Sequence, residues 1–228
     1  MTSITVIIPV YNAALYLAEA MTSVLTQTHP PDEVLVIDDG STDDSAAIAR
    51  RFEARVQLVQ QPNQGAAASR NRGVALAQGQ VLAFLDADDV WLPDKLARQL
   101  AALTTTPAPD IILGQVEQFR SPDLPAEIHF ADEGRVMNGL HVGAMLIPAG
   151  SFQQVGPFRS DLAVGEFIDW YSRAMAHSLS SLILPEVVMR RRLHGQNLMR
   201  RTQSVAGSYL KLLREATARH KEARTRQD

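Results

Sequence analysis

The sequence predicts an α/β fold in which a mostly parallel sheet is flanked by helices. Two observations lead to this prediction: β-branched apolar runs without polar alternation recur along the first half of the chain, and helix-like segments separate them. A strand buried on both faces shows no polar alternation, and a helical crossover makes successive strands parallel. The chain has 228 residues, of which 46% are hydrophobic, and is long enough to bury the core of such a domain.

Strand and helix patterns alternate regularly up to Phe119. The predicted strands are Ile4–Val10, Val34–Ile37, Val56–Val59, Val81–Leu85 and Ile111–Val116. The predicted helices are Ala13–Gln27, Ser45–Phe52, Ala66–Ala77 and Asp94–Leu103. Ser41 or Asp43 is suited to cap the second helix, because such side-chain oxygens accept hydrogen bonds from the free N–H groups of the first turn.

The pattern is less regular after Phe119, so we divide one continuous domain into residues 1–119 and 120–228. Ser121–Arg135 is rich in proline, acidic and turn-forming residues, which predicts a loop or an insertion. The later predicted elements are a short strand at Val142–Pro148, a helix at Glu166–His177, a strand at Leu182–Met189 and an amphipathic helix at Val205–His220.

Charge is unevenly distributed along the chain. The net charge is −3, yet residues 190–228 hold 11 of the 22 Lys and Arg and only three of the 25 acidic residues. A basic C-terminal end predicts contact with an anionic partner such as phosphate, a membrane surface or nucleic acid; a solvated, frayed helix is the alternative.

Missing features exclude several classes of protein. Without cysteine the chain forms no disulfide, thiol nucleophile or cysteine-ligated metal site. The N-terminus has no basic flank and no small-residue cleavage site, so we expect no signal peptide. The chain also has no run of the roughly 18 to 20 apolar residues that a membrane-spanning helix needs. We therefore expect a cytoplasmic protein, with any membrane contact peripheral, on the inner face, through the basic C-terminus.

Polar residues follow the carboxyl ends of three predicted strands. The first strand ends in Pro9-Val10-Tyr11-Asn12, the second in Asp38-Asp39-Gly40-Ser41, and the fourth in Asp86-Ala87-Asp88-Asp89. Open parallel sheets bind ligands in the crevice outside these ends. The sequence therefore predicts a site where an aromatic ring and several carboxylates gather.

The carboxylates at 86–89 predict a divalent cation. Two like charges about 4 Å apart repel by roughly 4 kcal/mol at an effective dielectric constant near 20. In an extended segment Asp86 and Asp88 would project to the same side. Carboxylate oxygens favour Mg²⁺ or Mn²⁺, commonly together with a phosphorylated ligand. The alternative is that these acids, Asp89 in particular, cap the following helix and face solvent.

Signatures of other nucleotide-binding folds are missing. No GxGxxG follows the first strand, and no GxxxxGK[ST] occurs anywhere in the chain. Residues 11–14 are also unlike the Gly-rich basic loop of a sugar nucleotidyltransferase. Dinucleotide-binding and phosphate-loop folds are therefore disfavoured.

Four motifs in register resemble the family-2 inverting glycosyltransferases of GT-A fold. They are Val6–Asn12, Val36–Asp43, Ser69–Gly73 and Phe84–Asp89, the last of which contains a DXD motif. The resemblance implies that residues 1–119 bind a nucleotide-diphosphate sugar, with UDP favoured, and that residues 120–228 form the acceptor side. The implied activity is hexosyl transfer to a glycan, a lipid-linked glycan or a peptide, and nucleic acid is not an implied partner.

The resemblance also implies roles for the matching positions. Asp88 would be the principal ligand of Mn²⁺ or Mg²⁺, and Asp86 would face the ribose or the metal. The other positions implied to bind the donor are Pro9, Tyr11, Asp38, Asp39 and Arg70. For Tyr11 the alternative is an aromatic ring that only closes the sheet edge.

The implied catalytic base is missing from its usual position. Gly165–Arg173 resembles a segment in which family members carry an adjacent Glu-Asp pair whose Asp is the base, but Phe167 occupies that position. Glu166 and Asp169 are three residues apart on a helix and share a face, so either is a candidate. An ion pair with Arg173 is the alternative for Asp169, and a base elsewhere remains open.

Arg190–Asn197 resembles a segment that some members of this glycosyltransferase family carry. In those members a His completes the coordination of the metal and Arg side chains contact the diphosphate. His194 is therefore implied as a metal ligand, and Arg190, Arg191 and Arg192 as candidates for the diphosphate. Alternation along an extended segment places Arg190 and Arg192 on one side and Arg191 on the other.

The implied reaction is a direct displacement at the anomeric carbon with general-base assistance and inversion. Two other functions stay open. One is a non-catalytic module that binds a nucleotide sugar or glycan, because the usual base is missing. The other is a sugar nucleotidyltransferase, which the missing loop disfavours.

Overall fold

Nine strands form one sheet in the residues that the computed structural model describes, 2–125, 127–162 and 164–195. The predicted helix at Val205–His220 and the basic end beyond residue 195 lie outside the described residues. The strands are β1 (Ile4–Val10), β2 (Glu33–Asp38), β3 (Gln57–Gln60), β4 (Val81–Phe84), β5 (Val90–Trp91), β6 (Ile111–Arg120), β7 (Val136–Met137), β8 (Leu146–Pro148) and β9 (Ser181–Leu193). Their order in the sheet is β3-β2-β1-β4-β8-β6-β9-β5, and β7 pairs with β6.

The first four strands are parallel, as predicted. β1 lies between β2 and β4, and β3 pairs with β2 in the same direction. β8 is antiparallel to both β4 and β6, because the chain returns from β6 to β8 without the helical crossover that a parallel connection needs. β9 is parallel to β6, and β5 is antiparallel to β9. The sheet is therefore mixed, with its parallel half in the first portion.

Helices cover both faces of the sheet. They are α1 (Leu17–Leu25), α2 (Ser45–Arg50), α3 (Ala66–Leu76), α4 (Lys95–Leu103), α5 (Ala149–Val155) and α6 (Glu166–Ala176). Alternate residues of β1 enter two different apolar clusters: Ile8 packs with α1 and α4, whereas Ile7 packs with α3, α5 and α6. This division confirms the predicted helix cover. None of the helices in the described part of the chain is long and apolar enough to cross a membrane.

Two local predictions need correction. Val142–Pro148 is not a single strand, because a 3₁₀ helix (Val142–Ala144) precedes β8, and helix α5 directly after β8 was not predicted. The predicted cap of α2 is present, because Asp43 accepts a hydrogen bond from the backbone N–H of Ser45, the first residue of the helix, although Asp44 occupies the N-cap position. Asp43 also accepts from the backbone N–H of Ala14 and so joins two loops. β6 and β9 extend beyond their predicted ends because they pair with each other along most of their length.

Candidate active site

The loops after β1 and β2 are hydrogen-bonded to each other at the carboxyl edge of the sheet. The backbone N–H of Asn12 donates to Oγ of Ser41 (3.0 Å), and Oδ1 of Asn12 accepts from the backbone N–H of Thr42 (2.8 Å). Tyr11 stands on this joined pair of loops and is 53% exposed, whereas Pro9 is buried within β1. The Tyr11 ring therefore does not close the sheet edge and is free to meet a ligand.

Asp38 and Asp39 are both buried at the end of β2 and shape the neighbouring loops. Asp38 accepts from the backbone N–H of Ser41 (3.1 Å) and from Nε2 of Gln60 (3.0 Å). Asp39 accepts hydrogen bonds from the segment leading into α3, namely from Nε2 of Gln61 (2.8 Å) and the backbone N–H groups of Gln64 (3.0 Å) and Gly65 (2.7 Å). An ionised carboxylate has about four acceptor positions, so roughly one remains on Asp39 for a ligand.

The carboxylates after β4 lie on a tight turn, and the expectation of an extended segment was wrong. The backbone N–H of Asp89 donates to the carbonyl oxygen of Asp86 (3.1 Å), which closes the turn and brings its first and fourth residues together. Asp86, Asp89 and His141 each offer a ligand atom, and these atoms lie within 4.8 Å of one another. Asp89 is 3% exposed and accepts from the backbone N–H of Arg192 (2.9 Å), so it neither faces solvent nor caps α4.

The surroundings of this turn shift the pKa values of Asp89 and Asp86 in opposite directions. Burial, together with the charges of Asp88 and Asp86, raises the pKa of Asp89 well above its ordinary value. Burial also opposes ionisation of Asp86, but the nearby positive charges, above all that of Arg70, outweigh it and lower the pKa of Asp86. A cation near the turn would relieve the repulsion between these acids.

Asp88 and His194 are brought together as neighbours. Nε2 of His194 lies 2.8 Å from Oδ2 of Asp88, and the imidazole ring packs against Tyr16 with ring centroids 4.8 Å apart. Neighbouring ligands of an octahedral cation are about 3 Å apart, so this separation suits one shared ion. Carboxylate oxygens with one imidazole nitrogen fit Mn²⁺ or Mg²⁺.

The three consecutive arginines alternate in direction as predicted for a strand, with Arg190 and Arg192 on the same side, but each has different partners. The guanidinium groups of Arg190 and Arg192 both lie over Phe119, with Cζ 4.4 and 4.6 Å from the ring centroid. Arg190 pairs with Glu117 (2.9 Å), and Arg192 donates to the carbonyl oxygen of Asp88 (2.8 Å). Both guanidinium groups therefore already have partners within the protein, and their contact with a diphosphate stays a prediction.

Arg191 is the arginine that acts on the carboxylate turn. Its charge contributes to lowering the pKa of Asp86, after the larger effects of burial, Arg70 and His141. Among the residues of the described ranges, Arg191 forms no ion pair. It is thus the arginine of the three that fits a diphosphate.

Arg70 links the carboxylate turn to the start of α6. Its guanidinium donates from Nη2 to Oδ1 of Asp86 (2.5 Å) and from Nη1 to Oε1 of Glu166 (2.6 Å). Burial disfavours the Arg70 charge, but the two carboxylates more than offset this and raise the pKa of Arg70. Arg70 therefore positions two acidic groups of the site, and its approach to the donor stays a prediction.

The two candidate bases on α6 have different surroundings. The side chain of Glu166 is 17% exposed and forms an ion pair with Arg70. The side chain of Asp169 has no exposed surface, and it pairs with Arg173 (2.9 Å) and Arg159 (3.8 Å). The two acids both lie in the first turn of α6 but differ in exposure and in partners, and which of them is the base stays a prediction. The ion pair proposed as the alternative for Asp169 is present, and the geometry favours Glu166.

Phe167 is part of the core. It is 5% exposed and packs against Trp170 and Tyr171, with ring centroids 6.5 and 6.1 Å apart. The residue at the usual base position is therefore turned into the aromatic cluster, and Glu166 is the acid that the start of α6 presents to the site.

His141 is a site residue that the sequence did not indicate. No motif includes it, and it lies 52 residues beyond Asp89 in the chain. It reaches the carboxylate turn because β8, which follows soon after it, pairs with β4. Burial lowers the pKa of the His141 imidazole, and this favours the neutral ring.

Comparison with protein families gives one clear match. The model of glycosyl transferase family 2 matches residues 5–140, more than half of the chain. Over 107 residues the chain is 45% identical to an uncharacterised glycosyltransferase of Nostoc sp., a match that covers 45% of this chain. The matched region is 33% of the length of that relative.

Two solved structures are similar over nearly the whole chain. One is TarS 1–349 of S. aureus in complex with UDP-GlcNAc, with a TM-score of 0.76 over 95% of this chain and 66% of that chain, at 19% identity. The other is the mannosyltransferase PcManGT of Pyrobaculum calidifontis in complex with GDP-Man and Mn²⁺, with a TM-score of 0.68 over 97% and 69% of the two chains, at 21% identity. These likenesses confirm the predicted GT-A fold.

Proposed function

Because the chain belongs to glycosyl transferase family 2, we propose that it transfers a sugar from a nucleoside-diphosphate sugar to a hydroxyl group of an acceptor. The observation that carries this proposal is the arrangement at the carboxyl edge of the parallel strands. There the Asp88–His194 pair, Arg191 and the Arg70–Glu166 pair lie around one carboxylate turn. These groups offer a cation site, a diphosphate partner and an acid able to take a proton.

The donor proposed is a UDP-sugar. Tyr11 is exposed beside the buried Asp39, which retains about one acceptor position suited to an N–H group of uracil. The TarS structure holds UDP-GlcNAc, whereas the PcManGT structure holds GDP-Man. Both nucleotides therefore belong in the test.

UDP is expected to bind more tightly than GDP in the presence of Mn²⁺, because about one acceptor position remains on Asp39 and uracil offers a single ring N–H, whereas guanine offers an N–H and an NH₂ side by side. Isothermal calorimetry with UDP, GDP and a panel of their hexose derivatives measures the difference. Tighter binding of GDP would reverse the donor assignment, and no binding of either nucleotide would refute the proposed function.

The reaction proposed is a single displacement. The acceptor oxygen attacks the anomeric carbon as the bond from that carbon to the diphosphate oxygen breaks, and the acceptor proton moves to the Glu166 carboxylate. Attack from the face opposite the leaving group inverts the anomeric centre. Arg70 holds Glu166 in place through its 2.6 Å ion pair, and Arg191 faces the leaving diphosphate.

Asp88 and His194 would hold the divalent cation. When bound, Mn²⁺ or Mg²⁺ supplies positive charge that offsets the charge on the departing diphosphate. Arg192 holds the carboxylate turn in place, because its side chain donates a hydrogen bond to the carbonyl oxygen of Asp88 and its backbone N–H donates to the carboxylate of Asp89.

Arg191→Gln is expected to weaken UDP binding by about 10-fold to 100-fold, because a charge-assisted hydrogen bond contributes roughly 1.5–3 kcal/mol. Arg190→Gln is the matched control on the same strand. Its guanidinium pairs with Glu117 and is 41% exposed, so its loss should change affinity little. If the two variants bind UDP equally well, Arg191 does not meet the diphosphate.

One observation favours a second function, a module that binds a nucleotide sugar without transferring it. Phe167, at the usual base position, is packed into the core and takes no proton. Slow hydrolysis of the bound donor, or transfer that stops when EDTA is added, would identify an enzyme. Donor binding without either activity would identify the binding module.

The acceptor is proposed to be a glycan, a lipid-linked glycan or a peptide. All three offer the hydroxyl group that the displacement needs. Peripheral contact with a membrane stays a prediction from the basic C-terminal sequence, most of which lies outside the described residues.

A further inference from the structure

The backbone of the 3₁₀ helix holds the imidazole of His141 in one orientation. Nδ1 of His141 accepts a hydrogen bond from the backbone N–H of Gly143 (3.1 Å). The carbonyl oxygen of Gly143 in turn accepts from Nε1 of the buried Trp91 (2.9 Å). A Cβ atom at position 143 would lie 2.9 Å from Sδ of Met189 and 3.2 Å from Nδ1 of His141, so a larger residue there would crowd this contact.

This hydrogen bond determines which ring nitrogen carries the proton. An imidazole nitrogen that accepts from an N–H group has no proton of its own, so the proton of neutral His141 is on Nε2. A metal ligand at Nε2 would instead need its proton on Nδ1, where it would oppose the N–H of Gly143. Although His141 lies with Asp86 and Asp89 in a group that resembles a metal site, its hydrogen bonding makes it a donor and not a ligand.

The N–H group at Nε2 of His141 lies near a carboxylate oxygen of Asp86, but too far from it for a hydrogen bond. Nε2 lies 3.9 Å from Oδ2 of Asp86, beyond hydrogen-bonding distance, while Oδ1 of Asp86 is taken by Arg70. One oxygen atom placed beside both groups can be within about 2.8 Å of each. That atom has to accept from Nε2–H and donate to a carboxylate. A hydroxyl group can do both, whereas a phosphate oxygen is only an acceptor and is repelled by the carboxylate.

We propose that His141 and Asp86 together bind one hydroxyl group of the nucleotide sugar, with His141 as hydrogen-bond donor and Asp86 as acceptor, and that His141 does not ligate the cation. This inference rests on the proposed function. The hydroxyl belongs either to the ribose or to the transferred sugar, and the two sources predict different results with UDP alone.

Two variants of His141 distinguish the role of its Nδ1 atom from that of its Nε2 atom. In His141→Asn the amide oxygen can still accept from Gly143 N–H, but no donor reaches the Nε2 position. In His141→Gln the longer side chain can place an amide N–H near that position. Calorimetry with Mn²⁺ present compares UDP, UDP-glucose and UDP-GlcNAc on both variants and on wild type. Equal melting temperatures of the ligand-free proteins would show that both variants fold.

His141→Asn is expected to bind the nucleotide sugars about 10-fold to 100-fold more weakly than wild type, and His141→Gln is expected to recover part of that loss. Equal weakening of UDP places the hydroxyl on the ribose, whereas unchanged UDP binding places it on the sugar. Wild-type affinity for all three ligands in His141→Asn would overturn the inference while the proposed function stands. If wild type itself binds none of the three, the proposed function fails first and this inference with it.

Titration of Mn²⁺ followed by electron paramagnetic resonance tests the second half of the inference without any donor. His141→Asn is expected to bind Mn²⁺ as tightly as wild type, whereas His194→Asn should bind it at least about 10-fold more weakly. A loss of Mn²⁺ affinity in His141→Asn as large as that in His194→Asn would make His141 a ligand and overturn the inference.

Discussion

Asp88→Asn is expected to lower sugar transfer by on the order of 10³-fold without unfolding the protein. The amide keeps the size of the side chain and can still hydrogen-bond Nε2 of His194, which lies 2.8 Å from the carboxylate. It removes the charge that would hold the cation, and a cation contributes several kcal/mol of transition-state stabilisation, at about 1.4 kcal/mol for each tenfold in rate. Turnover of the best donor in the panel, with Mn²⁺ present, is the measurement.

The melting temperature of ligand-free Asp88→Asn should equal or exceed that of wild type. Asp88 adds to the repulsion that Asp89 experiences on the buried turn, and the substitution removes it. Asp94→Asn is a matched control, because Asp94 is an exposed acid paired with Arg98 on α4 and outside the site. Its activity should be normal. Full transfer by Asp88→Asn, or full wild-type activity in EDTA, would refute the assignment of Asp88 to a cation.

Glu166→Gln is expected to reduce turnover by about 10² to 10⁴-fold with little change in donor affinity. Loss of a general base has a cost of this size. Glutamine keeps a hydrogen-bonding partner for Nη1 of Arg70, and Arg70 keeps its ion pair with Asp86, so the carboxylate turn should stay in place. Steady-state turnover and calorimetric donor affinity, measured on the same preparation, separate a loss of chemistry from a loss of binding.

Asp169→Asn is the control for Glu166→Gln, and it should show the opposite pattern. The Asp169 carboxylate is fully covered and paired with two arginines, so its neutralisation should lower stability by roughly 1–3 kcal/mol. Activity at a temperature where the variant is folded should stay close to wild type. An active Glu166→Gln together with an inactive Asp169→Asn would move the base to 169. If both variants stay active, neither acid is the base.

The amino-acid sequence was sufficient for the first portion of the fold. Apolar strands such as Ile4–Val10 and Val81–Leu85 have no polar alternation, which is possible only when both faces of a strand are buried. The structure places them side by side and parallel, with helices on both faces. The polar residues directly after these strands had to meet at one edge, and the sequence therefore located the candidate site.

Only the tertiary structure decided what individual side chains do within the site. The sequence does not distinguish the three consecutive arginines at 190–192. They differ in the structure because Phe119 of the neighbouring strand contacts the guanidinium groups of Arg190 and Arg192 but not that of Arg191. Glu166 and Asp169 are both acids on the first turn of α6. They differ because Arg70 reaches one of them from α3, while arginines at 159 and 173 cover the other.

Sequence patterns report periodic burial and residues that are close along the chain, and these determined the strands, most of the helices and the edge that carries the acids. Contacts between distant segments leave no such pattern. His141 lies beside Asp86 because β8 pairs antiparallel with β4, and the turn at 86–89 joins Asp86 to Asp89 through a single backbone hydrogen bond. Both arrangements depend on non-local packing and on one local choice of backbone angles, neither of which residue type alone specifies.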